Sequence, residues 1–89
     1  MQNNKMNELK KQLAKKHYEY ITIKDEVHIE IPQNNILLSI RFDEDYQEYF
    51  IYTFDSTNVL KFLIDDYRKI YFKKDVKAAI NCIHKLVTQ

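Results

Sequence analysis

Residues 36–54, ILLSIRFDEDYQEYFIYTF, decide the fold. Over 36–42 the apolar residues Ile36, Leu38, Ile40 and Phe42 recur at every second position, the period of a strand with one face on a core. Residues 49–54, YFIYTF, are β-branched or aromatic throughout and suit a pleated, half-buried surface. The intervening DEDYQE, 43–48, is a polar connection. Two strands joined so closely predict an antiparallel hairpin with an acidic tip.

Reading outward, Pro32-Gln33-Asn34-Asn35 predicts a turn before this hairpin, because Pro stops a ladder and Asn tolerates left-handed φ. Residues 18–31 alternate, with Ile21, Ile23, Val27, Ile29 and Ile31 on one expected face. Parity is kept through Asp25, so the segment reads as one long bent strand or as two strands pivoting at Asp25–Glu26. A tight hairpin there is disfavoured, since no Gly or Asn supplies positive φ. Met6, Leu9, Leu13 and His17 predict an amphipathic helix over 4–17. Downstream, Asp55, Ser56 or Thr57 offers a cap for a helix to about Phe72, burying Leu60, Leu63, Ile64, Tyr67, Ile70 and Tyr71. Asp75 caps a last helix, 76–88, burying Val76, Ala79, Ile80, Ile83 and Val87. The expected architecture is one α+β domain, 1–89: a three-stranded antiparallel meander in α-β-β-β-α-α order with helices packed on the sheet.

Composition narrows function. The 89 residues include no Gly and no Trp. A P-loop, a dinucleotide-binding GxGxxG turn and a nucleophile elbow all need glycine, so each is excluded. One cysteine, Cys82, forms no internal disulfide and fits a reducing compartment. No apolar run approaches 18 residues, so neither a membrane span nor a signal peptide is expected. The total charge of +1 conceals segments of +4 over 1–17, −7 over 18–56 and +4 over 57–89. Such clustering creates local potentials that steer a partner of opposite sign.

Candidate chemistry is sparse. Cys82 and His84 are two apart on a helix and share no face, so neither a metal site nor a cysteine nucleophile is expected there. Asp43, Glu44, Asp45 and Glu48 could invite a divalent cation, but they crowd one loop, whereas nuclease sites draw carboxylates from several elements. They read better as a rack of carboxylates that meets arginines or lysines of a partner. Lys61, Arg68, Lys69, Lys73, Lys74, Lys77 and Lys85 supply the competing reading, a basic helical face for phosphates. The strand and helix order is also that of double-stranded RNA-binding domains, but their glycine-bearing loop is missing and that likeness is topological.

One resemblance reaches specific residues. Ile40-Arg41-Phe42, Asp45 and Glu48-Tyr49-Phe50-Ile51, running ungapped to a helix that starts Val59-Leu60, resemble the second and third strands of small phage-encoded anti-CRISPR proteins that inhibit the type II RNA-guided nuclease. Lys16-His17-Tyr18 matches that family's helix-to-strand junction. The resemblance implies a non-enzymatic inhibitor, working in the cytoplasm of a host bacterium without cofactor or metal. Its acidic hairpin would imitate DNA and occupy the cleft where the nuclease reads the PAM duplex with arginines. Carried over by position, Asp45 and Glu48 are the matching loop residues, and Asp43, Glu44 and Tyr46 complete the expected partner-binding set. Tight binding to nucleic acid itself is not implied. The departures are His17 at an acidic position, Tyr46 at a glycine, and Lys73, Lys74 and Lys77 in a region that is acidic in the family. Two other readings stand beside it: a nucleic-acid-binding accessory domain using the basic C-terminal helices, and a homo-oligomeric interaction module using Tyr49, Phe50 and Tyr52.

Overall fold

A computed structural model describes residues 4–89. The elements run α1 (Asn4–Lys15), β1 (Ile21–Ile23), β2 (Glu26–Ile31), β3 (Ile36–Asp43), β4 (Glu48–Asp55), α2 (Val59–Leu63), β5 (Lys69–Lys73) and α3 (Val76–Thr88). All strands pair antiparallel with their chain neighbours, in the order β1-β2-β3-β4-β5. The fold is therefore α+β with a five-stranded sheet, not the three-stranded meander expected.

The hairpin of residues 36–54 forms in full, from Ile36 opposite Asp55 to Asp43 opposite Glu48. Directly opposed residues share a face. Ile36, Leu38, Ile40 and Phe42 thus lie with Tyr49 and Ile51 on the face covered by α1 and α3, joined by Val27, Ile29 and Ile31 of β2. Met6, Leu9 and Leu13 of α1 and Ala79, Ile80, Ile83 and Leu86 of α3 close this core. Asp75 caps α3 as expected, its carboxylate accepting from the Ala78 N–H at 2.8 Å. The Pro32–Asn34 segment is a single 3-10 turn closed by Asn35 in the left-handed region, φ 54°.

Three expectations are corrected. First, residues 21–31 make a tight hairpin. Lys24 takes φ 56°, so a lysine accepts a strain that Gly or Asn would largely avoid. The two-residue reversal flips parity, placing Ile21 opposite His28 and Ile23 opposite Glu26. Ile21 and Ile23 consequently face away from α1 and α3 and are exposed. Second, α1 stops at Lys15, and His17, at φ 61°, turns the chain out of the helix instead of extending its apolar stripe. Third, the helix expected to reach Phe72 stops at Leu63. Asn58 is its cap, accepting from the Leu60 N–H at 3.2 Å. Asp65 in the left-handed region reverses the chain, and an Arg68 N–H bond to the Thr53 carbonyl at 2.7 Å starts β5 along β4. Leu60, Leu63, Ile64 and Tyr67 are exposed rather than packed on strand isoleucines.

Candidate functional site

The β3–β4 hairpin sorts the five expected contact residues into two groups. The Asp43 carboxylate turns inward on its own loop. Its Oδ1 accepts N–H groups from Asp45 at 2.9 Å and Tyr46 at 3.0 Å, the side-chain mimic of a backbone turn. Gln47 then takes φ 54° and its side-chain amide donates to the Glu44 carbonyl at 2.7 Å. Glu48, half-buried, lies 3.9 Å from the Lys74 ammonium. Asp43 and Glu48 are therefore engaged in building and anchoring the loop. Glu44, Asp45 and Tyr46 are the residues it displays, with Tyr46 72 % exposed.

Behind this tip runs the sheet face opposite α1 and α3. The Tyr46 ring lies 6.2 Å from Phe50, and Phe50 meets Phe72 edge-on at 4.8 Å. The Arg41 guanidinium sits 5.5 Å from the Phe50 centroid and 5.3 Å from that of Tyr52, and donates to the Tyr52 hydroxyl at 2.9 Å. This arginine thus spends its charge on two aromatic faces and a phenol. Burial pushes the Tyr52 phenol up, against the opposing pull of Arg41.

A polar cluster went unforeseen in the sequence. His28 and Ser39, opposed on β2 and β3, are both buried, and Ser39 Oγ lies 2.7 Å from His28 Nδ1. The other ring nitrogen, Nε2, is 3.6 Å from Glu26. Burial lowers the His28 pKa, while Glu26 draws it back up. The order Ser-His-Glu invites comparison with a hydrolytic triad. Ser39, however, lies mid-strand with paired strands on both sides, so the backbone N–H groups around it serve the ladder and do not cup an oxyanion. Phe62 of α2 roofs the cluster, its ring 5.4 Å from His28. What could have flagged it is that His28 and Ser39 each take a non-core position in a strand that otherwise alternates cleanly. Beside the cluster is a recess of about 160 Å³ lined by Glu26, Ser39, Arg41, Tyr52 and Asp65 among others.

The remaining candidates separate. Cys82 is buried in the core, and burial pushes its thiol up, which suits packing better than nucleophilic attack. His84 reaches across to the Tyr18 hydroxyl at 2.8 Å. Among the described residues, no three His, Cys, Asp or Glu side chains gather as a metal would require, and no helix is long and apolar enough to cross a membrane. The seven basic residues do not form one helical face: Lys69 and Lys73 belong to β5, Lys61 to α2, and Lys77 and Lys85 to α3. Set against known proteins, the chain matches no family model, no curated protein and no solved structure.

Proposed function

We propose that the protein is a non-enzymatic inhibitor that binds a type II RNA-guided nuclease in the bacterial cytoplasm and covers the cleft that reads PAM DNA. Glu44, Asp45 and Tyr46 are the contact residues, with Asp43 and Glu48 holding them in place. The observation that carries this reading is the self-locked tip: Asp43 ties its own loop with two backbone hydrogen bonds, so carboxylates and a tyrosine are presented with little entropy left to lose on docking. The −7 charge of residues 18–56 and the resemblance of residues 38–64 to anti-CRISPR proteins support it.

The test is Glu44→Lys combined with Asp45→Lys. On a solvated loop these changes move folding stability by about 0.5 kcal/mol. A carboxylate paired with arginine inside an interface costs about 2–5 kcal/mol when lost, and sign reversal costs more. The expected outcome is an unchanged melting temperature and loss of inhibition in a DNA-cleavage assay. Full inhibition by the double variant removes the hairpin from the mechanism. A gel shift at low salt is expected to show no tight complex of the protein with free duplex DNA. Sub-micromolar binding with a steep salt dependence would favour the basic surface instead.

A further inference from the structure

The ladder between β1 and β2 is cut short. It runs from Ile23 opposite Glu26 to Ile21 opposite His28 and stops, although β2 continues to Ile31 against β3. Two more residues in the same register would set Glu19 directly across from Glu30. Like charges placed so destabilise a ladder. The Tyr18 N–H instead bonds back to the Leu13 carbonyl of α1 at 3.0 Å, and residues 18–20 join no strand. A cleft of about 780 Å³ opens there, between Ala14 near the end of α1, residues 18–21 and the edge of β2 that β1 leaves uncovered.

Glu19 and Glu30 are the charged residues of its walls, which hold no lysine or arginine. Neither carboxylate has an ion-pair partner among the described residues, where the pairs are Glu26 with His28 and Glu48 with Lys74. His28 also lines the cleft, but burial lowers its pKa and keeps the ring neutral near pH 7. Ile21, Leu37 and the rings of Tyr18 and Tyr20 supply apolar surface. Both tyrosines pack against the core, and the Tyr18 hydroxyl is held by His84 at 2.8 Å, so this wall stands before any ligand arrives.

We propose that the cleft binds a small organic cation, an ammonium or guanidinium group carried on an apolar body. The positive group sits between Glu19 and Glu30 and relieves their repulsion. The body lies against the tyrosine rings and Leu37. The volume is that of a small-molecule site. Tyrosine faces attract a cation. Two carboxylates without counter-charge set the sign, since an anion is repelled and a neutral molecule leaves them unpaired. The site does not rest on the inhibitory reading, whose residues 43–48 belong to another hairpin.

The test is an NMR titration of the isotope-labelled full chain with phenethylamine and with agmatine, using phenethyl alcohol as the uncharged control. At least one amine is expected to shift the amides of residues 18–21 and 28–30 saturably, with a Kd of about 1 mM or tighter, and the alcohol to bind at least about tenfold more weakly. Glu19→Gln and Glu30→Gln, at exposed positions and checked for folding by circular dichroism, are each expected to weaken the amine about tenfold. Glu44→Gln combined with Asp45→Gln discharges the hairpin tip and is expected to leave the affinity unchanged, which separates this cleft from general attraction to an acidic chain. No saturation by either amine at about 10 mM overturns the proposal. Equal binding of the alcohol, wild-type affinity in Glu30→Gln, or largest shifts at residues 43–48 overturn it as well. An arginine-bearing peptide that saturates the cleft when neither free amine does overturns the small-molecule assignment, because the ligand is then a segment of another protein.

Discussion

Tyr49→Phe separates a hydrogen bond from the packing around it. The Tyr49 ring is fully buried and meets Phe42 edge-on at 5.0 Å. Its hydroxyl donates to the Lys5 carbonyl in the first turn of α1 at 2.6 Å, tying residues 44 apart in the chain. Phenylalanine keeps the ring and deletes the donor. A bond of this kind contributes about 0.5–1.5 kcal/mol. In a domain of this size about 1 kcal/mol lowers the melting temperature by roughly 4–8 °C. Burial, with Glu8 and Asp75 adding to it, raises the phenol from 10.0 to about 12. The raised value fixes the sign of a second effect. The unfolded tyrosine gives up its proton near pH 10 while the folded one holds it, so wild type loses stability as pH rises from 10 toward 12. The variant has no such group at this position. Denaturant melts at pH 8 and pH 11 should therefore show the variant weaker at pH 8 and the gap narrowing at pH 11. Equal stabilities at pH 8, or a gap constant across pH, would refute the argument.

Other expectations follow from the same geometry. Ile40→Ala or Ile51→Ala, which opens a cavity between the paired central strands and the helices, should cost about 2–5 kcal/mol in a denaturant melt. Because burial lowers the His28 pKa, the unfolded chain binds the proton more readily below its ordinary 6.5; stability should fall as pH drops through that value, and His28→Gln should flatten the slope. Asp75→Ala removes the cap of α3 and should cost about 0.5–2 kcal/mol, read as a lower melting temperature.

The core half of the molecule was legible because its signals agree. In β3 and β4 the alternation, the β-prone residues and the polar loop all point to one pairing, and in α3 the cap and the apolar stripe coincide. The other half was illegible for physical reasons. Residues 60–71 fit a helical period, yet Ile70 and Phe72 also fit a strand period, and the deciding event is a reversal at Asp65 that composition does not announce. The flip at Lys24 was missed because a lysine held at positive φ is a cost paid for by the pairing of β1 with β2. At the candidate site, the acidic tip could be located from sequence. That Asp43 is consumed by the turn, and Glu48 drawn toward Lys74, depends on atomic positions.

The nearest-neighbour order of the strands bears on how the chain is made. Each strand finds its partner in the segment just synthesised, so the meander from β1 to β5 can zip in the direction of translation with short closures throughout. α1 stands outside that sequence of events. Met6, Leu9 and Leu13 are made before every strand, yet part of their covering is Ile80, Ile83 and Leu86 of α3, which is made after all five strands. Until α3 is made the nascent chain therefore carries the apolar stripe of α1 with half a socket, and this core is sealed only when α3 joins α1.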